Sequence, residues 1–216
     1  MIALSRSLGP LLFLIAAPAL AQGVGLTVGT TNSDIINLSP SGQPISSYPD
    51  RHSETFGITY RQHLTSWAVL QPELLRVHRG WAEQNHPTLS LTYLEVPLLL
   101  RLGAVSRDGW PVRPTLTLGA AASIRQGCSL TNLDLARAEG TGCDERIVSP
   151  FNEDYGIRPY DVGVILGIGA ETRVYGGSVL GVEGRYEFGL NDIRRNASNA
   201  HNSTIFVLVN VVPRLF

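Results

Sequence analysis

The stretch "YDVGVILGIGAETRV", Tyr160 to Val174, constrains the fold more than any other part of the chain. Asp161, Gly163, Gly167, Gly169, Glu171 and Arg173 fall on one parity, with Ile165 the exception, while Val162, Val164, Leu166, Ile168, Ala170 and Thr172 fall on the other. Only an extended strand puts residues two apart on a common face, so this segment predicts a strand with one small, charged face and one apolar face. "VLGVEGRYEFGL" repeats the design, with Gly181, Glu183, Arg185 and Glu187 set against Leu180, Val182, Tyr186, Phe188 and Leu190. In "TIFVLVNVV" the odd positions Ile205, Val207, Val209 and Val211 are all apolar, and Phe206 and Leu208 accompany Asn210 on the even ones.

Alternation of this kind recurs in segments bounded by Gly, Asn, Asp, Ser and Pro. The strands are predicted at about 22–30, 54–62, 66–79, 88–102, 113–125, 159–173, 178–190 and 203–215, eight in all. A soluble sandwich would turn the polar faces outward. Two features favour the reverse, a membrane barrel with apolar residues toward lipid and charges in the lumen. The glycines share the face of the charges, where a narrow interior needs room for long side chains. The connections also tend to alternate between long polar segments (31–53, 126–158 and 191–202) and short ones (63–65 and 174–177), as in outer-membrane barrels. The segments 80–87 and 103–112 depart from that rule, being alike in length. The expected fold is an all-β, eight-stranded antiparallel up-and-down transmembrane barrel over residues 22–216.

The first 21 residues read differently. Arg6, the apolar run "LGPLLFLIAAPAL" and Ala19-Leu20-Ala21 form the three parts of a secretory signal, which predicts export and a mature chain starting at Gln22. Beyond that point no run of 18 consecutive apolar residues offers a transmembrane helix. A formal net charge of -1 removes the basic patch that nucleic-acid binding would need.

Within "TYLEVPLLLRLG", Leu94, Val96, Leu98, Leu100 and Leu102 are expected to face lipid, and Glu95, Pro97, Leu99 and Arg101 the lumen. Pro72 and Pro97 lack a ladder donor, so a bulge or local break is expected at each. Arg76 and His78 fall on the outward parity of their strand, at the height of the headgroups, where a long Arg can snorkel. The inward charges Glu73, Glu95, Arg101, Glu171, Arg173, Glu183, Arg185 and Glu187 are expected to pair as a salt-bridged plug, because ions in a confined lumen must be compensated. Cys128 and Cys143, the only cysteines, both fall in the long segment 126–158, and an oxidising export route predicts a disulfide between them.

No metal or cofactor is expected. His52, His63, His78, His86 and His201 are dispersed without ligand spacing. "HSE" at His52 to Glu54 holds the residue types of a hydrolase, but adjacency in sequence does not make a triad. "NAS" at Asn196 and "NST" at Asn202 match a glycosylation pattern that export from a bacterium makes incidental.

"LQPELL", "YLEVPLLLRLG", "DVGVILGIGAE", "EGRYEFGLNDI" and the terminal Phe216, taken in that order, resemble the PorT-type outer-membrane β-barrel proteins, often labelled porin-family proteins. The resemblance covers most of the mature chain. It implies a small barrel in a Gram-negative outer membrane and brings no catalytic or ligand residues with it. Phe216 is a departure: the phase of Ile205 to Val211 turns it inward unless Pro213 introduces a bulge. The functional expectation is a non-enzymatic barrel that supports the membrane or presents loops to an extracellular or periplasmic protein partner. It would be monomeric, embedded in outer-membrane lipid and without nucleic acid. A narrow passive channel, a component of a protein secretion machinery and a barrel-embedded enzyme are the alternatives.

Overall fold

The computed structural model describes residues 23–38, 44–47, 51–81, 88–103, 111–131, 158–192 and 200–213. Residues 1–22, Cys143, His86, Asn196 and Phe216 lie outside them, as do the expectations attached to those residues.

Among the described residues there are nine strands: β1 (Gly23–Leu38), β2 (Pro44–Ser47), β3 (Arg51–His63), β4 (Ala68–Trp81), β5 (Thr88–Gly103), β6 (Val112–Thr131), β7 (Tyr160–Arg173), β8 (Val179–Gly189) and β9 (Ala200–Val212). Eight of them make the barrel. Each of β3 to β9 pairs antiparallel with its neighbour in sequence, and β1 pairs with both β3 and β9, from Leu26 opposite Val211 to Asn37 opposite Ala200. The sheet is thereby closed on itself, which satisfies the backbone groups of strands that have no water to bond with. The four-residue β2 pairs with β1 alone, beyond the β1–β3 ladder. No helix among the described residues is long and apolar enough to cross a membrane.

The eight predicted strands are all present, and several run further than their alternation. β1 continues to Leu38, so part of the segment expected to be loop is strand. β6 continues to Thr131, which puts Cys128 in a strand, opposite Leu91, and starts the long connection after Thr131 instead of at 126. "RQGCSLT" has no apolar period of its own, but "TLSLT" at the start of β5 offers it a ladder, and pairing decides.

The prolines leave local gaps without shifting register. The β3–β4 ladder pairs Thr59 with Glu73 and resumes at Gln62 with Leu70, stepping over Pro72, while β4–β5 pairs Pro72 with Leu98 and resumes at Leu75 with Glu95, stepping over Pro97. The register shift lies elsewhere, between Thr92 and Tyr93, which pair with Gly127 and Arg125 and leave Gln126 as the extra residue.

Outward positions are apolar and exposed, including Val96 and Leu98 of β5, Val162, Val164 and Leu166 of β7, and Ile205 and Val207 of β9. Such a band is unsuited to water and is the surface a bilayer covers. Arg76 and His78 do face outward: the Arg76 guanidinium stands 5.9 Å above the Phe56 ring, and His78 Nδ1 lies 3.1 Å from Thr92 Oγ1. At the short-turn end β7 passes to β8 through Tyr175–Gly177, where Gly176 and Gly177 take φ of 75° and 77°. A side chain at either position would be strained in that left-handed conformation.

Candidate functional site

The inward faces meet in a lumen filled by side chains, which is what about eight strands allow. Apolar residues fill part of it: Leu75, Val77, Phe206 and Leu208 form one group, and Leu99, Ala121 and Ile165 another. The remainder is largely polar, with hydroxyl and amide side chains such as Thr27, Gln71, Thr117 and Asn210 beside the charged ones.

Toward the short-turn end, seven side chains form a closed ring across the lumen. Arg185 clasps Glu73 with two bonds, at 2.5 and 3.0 Å, and also donates to Glu183 at 3.1 Å. Arg101 donates to the same oxygen, Glu183 Oε2, at 3.1 Å and stands 3.8 Å from Glu171. Arg61 bonds Glu171 at 3.0 Å and Gln71 at 2.8 Å, and Gln71 donates back to Glu73 at 2.7 Å. The ring draws on β3, β4, β5, β7 and β8, and its three arginines balance its three glutamates. Paired, bidentate charges of this kind hold together because separating them would strand a buried ion.

A second cluster lies further toward the long-loop end. Arg79 Nη2 donates to Glu95 Oε2 and, at 2.8 Å, to Glu187 Oε2, while its Nη1 stands 3.6 Å from Asp161 Oδ2. The guanidinium also lies over the Tyr93 ring, 5.4 Å from its centre. Asn202 donates to Asp161 at 2.7 Å and Ser123 to Glu95 at 3.3 Å. Asn202 is thus a buried lumen residue, closed to the glycosylation that its sequence pattern suggests.

Of the predicted lumen charges, Glu73, Arg101, Glu171, Glu183 and Arg185 meet in the ring, and Glu95 and Glu187 in the second cluster. Arg173 does not join them. β7 ends there, the residue is exposed beside the turn, and the rim leaves it in solvent. Three partners escaped the prediction: Arg61, Arg79 and Asp161. Arg79 shares the parity of Glu73, and Asp161 that of Glu171, so alternation alone would have found both. The glycines do make room: a Cβ on Gly163 would lie 2.7 Å from Glu187 Oε1, and one on Gly167 would lie 3.0 Å from both Arg185 Cγ and Glu183 Oε1.

The "HSE" residues do not converge. His52 and Glu54 are exposed, and Ser53 takes the opposite parity of the strand, half-buried, its carbonyl accepting from Thr31 Oγ1 at 3.3 Å.

A family model described as "Outer membrane protein beta-barrel domain" matches residues 20–195, four fifths of the chain. The chain belongs to that family. It is an outer-membrane protein, with the exposed apolar band as its lipid-facing wall. Solved structures are similar to this chain, and the first of them, at a TM-score of 0.50, shares its fold. Neisserial surface protein A is 12% identical with a TM-score of 0.50, the match covering 87% of this chain and 96% of that one. Ail, the attachment invasion locus protein of Yersinia pestis, is 12% identical with a TM-score of 0.47, covering 89% and 99%. OprG from Pseudomonas aeruginosa is 8% identical with a TM-score of 0.47, covering 89% and 93%. At these identities the likeness is one of fold. No curated protein matches the chain in sequence.

Proposed function

We propose that the protein is a non-enzymatic, monomeric outer-membrane barrel that acts through the segments joining its strands and meets a protein partner there. The observation that carries this reading is the ring of Glu73, Arg185, Glu183, Arg101, Glu171, Arg61 and Gln71, which ties these seven lumen side chains to one another across the barrel. A lumen filled in this way leaves the connections as the part open to a partner, and the longest, 132–159, follows β6. Connections carried on a rigid scaffold are where binding residues concentrate.

The finer likeness to PorT-type barrels belongs to the same proposal, supported by "LQPELL" and "YLEVPLLLRLG", whose residues fall in β4 and β5. So does the Cys128–Cys143 disulfide. It would anchor the long connection to β6, and mass spectrometry without reductant is expected to find the linked peptide. Two alkylatable thiols in protein from its native membrane would reject it.

The test is a crossed complementation in a strain lacking the gene. One variant replaces 133–157, including Cys143, by a short Gly/Ser linker; the other carries Glu183→Ala and Arg185→Ala. The connection variant is expected to fold and fail to restore the envelope phenotype, and the lumen variant to restore it. The opposite pattern would favour a narrow passive channel.

A further inference from the structure

The ring is electrically neutral, and the Arg79 cluster is not. Three carboxylates, Glu95, Asp161 and Glu187, surround one guanidinium, and each of the four residues is at most 2% exposed. The groups facing this site come from every neighbouring strand: Arg79 from β4, Tyr93 and Glu95 from β5, Ser123 and Arg125 from β6, Asp161 from β7, Glu187 from β8 and Asn202 from β9. Arg185, on β8 two residues before Glu187, is committed to the ring. Counting the half-buried Arg125 as a second cation still leaves one negative charge in excess among the described residues.

A second observation identifies where the excess sits. Glu95 Oε1 is buried without a hydrogen-bond partner, and the Oε2 of the same carboxyl shares Arg79 Nη2 with Glu187 Oε2. An ionised carboxylate wants donors at both oxygens, and a dry, unpartnered one is expensive in a confined site. Two carboxylates on one nitrogen also repel, a conflict that a single proton removes.

We propose that this cluster is a proton-binding site and that Glu95 carries the proton at neutral pH. A metal ion fits less well, because among the described residues no group of His, Cys, Asp and Glu is arranged to hold one. The barrel then takes up one proton on folding, which the unfolded chain, with its Glu95 in water, does not hold at that pH. Folding is favoured while the proton is bound and loses that contribution as the pH rises through the range where the site releases it. Between the ordinary carboxyl range and that release point the folded chain holds one proton more than the unfolded one, and the folding equilibrium falls roughly tenfold per pH unit; above it neither state holds the proton and the dependence ends.

Infrared spectroscopy of the full mature protein in lipid vesicles tests this directly. At neutral pH the wild type is expected to show the carbonyl stretch of a buried, protonated carboxyl, absent from Glu95→Gln and lost from the wild type on raising the pH. Glu171→Gln, in the neutral ring, is expected to keep the band. In denaturant titrations the wild type should lose stability as the pH rises from the ordinary carboxyl range to the release point and level off above it, and Glu95→Gln should lack that decline. Gel migration of unheated samples verifies that each variant has folded, and the wild-type titration stands even if Glu95→Gln does not fold. The absence of the band from the wild type would overturn the proposal, as would its persistence in Glu95→Gln. So would a stability that follows sodium concentration instead of pH, which would mean that a small cation supplies the charge.

Discussion

Leu166 of β7 and Glu187 of β8 are within one residue of each other in the ladder and face opposite media. Leu166 is 53% exposed on the outer wall and Glu187 2% exposed in the lumen. The two surfaces obey different rules. On the wall each side chain answers to lipid alone, so any apolar residue of suitable size serves and effects should add. In the lumen a charge depends on partners from other strands, as Glu73 of β4 does on Arg185 of β8, and effects should be coupled.

The largest effect should come from breaking a lumen pair. Glu73→Ala leaves Arg185 with its two strongest bonds gone, and removing one member of a buried pair costs about 3 to 5 kcal/mol. Urea unfolding in lipid vesicles is the measurement, and adding Arg185→Ala should recover part of the loss. A double variant whose loss equals the sum of the singles would mean that the pairing is not what stabilises the lumen.

On the wall, Leu166→Arg places a charge in the middle of the lipid-facing band, and about 2 to 4 kcal/mol should be lost at the bilayer midplane. Gly167→Ala comes next, because its Cβ would press on Arg185 and Glu183; overpacking of that kind costs about 1 to 3 kcal/mol. Glu187→Gln should be the mildest of the four, since it keeps the shape and removes one charge from a cluster that has too many carboxylates. If Glu187→Gln cost as much as Leu166→Arg, the assignment of faces would be wrong.

The same contrast explains what could be read from the sequence. The wall was legible because lipid imposes a period of two on each strand separately: Leu94, Val96, Leu98 and Leu100 needed no knowledge of any other strand. The inward parity was legible as well, down to Phe206 and Leu208 joining Asn210 in the lumen. Which charge meets which was not. Parity places Arg79 in the lumen but names no partner for it, and the partners of Arg61 and Arg79, Glu171 and Glu187, lie more than a hundred residues away. Register around a closed sheet decides such pairs, and no local pattern encodes it. Cys128 was misplaced for a related reason, since its strand exists through pairing with β5.

The central claim is that paired side chains fill the lumen and leave no wide aqueous path. Conductance of the purified protein in planar bilayers tests it most directly, with the Glu183→Ala, Arg185→Ala variant measured beside the wild type. The wild type is expected to show no steady large conductance, and the variant, with the ring opened on its β8 side, to conduct more. Steady, large conductance from the wild type, unchanged in the variant, would contradict the account and make the protein a passive channel.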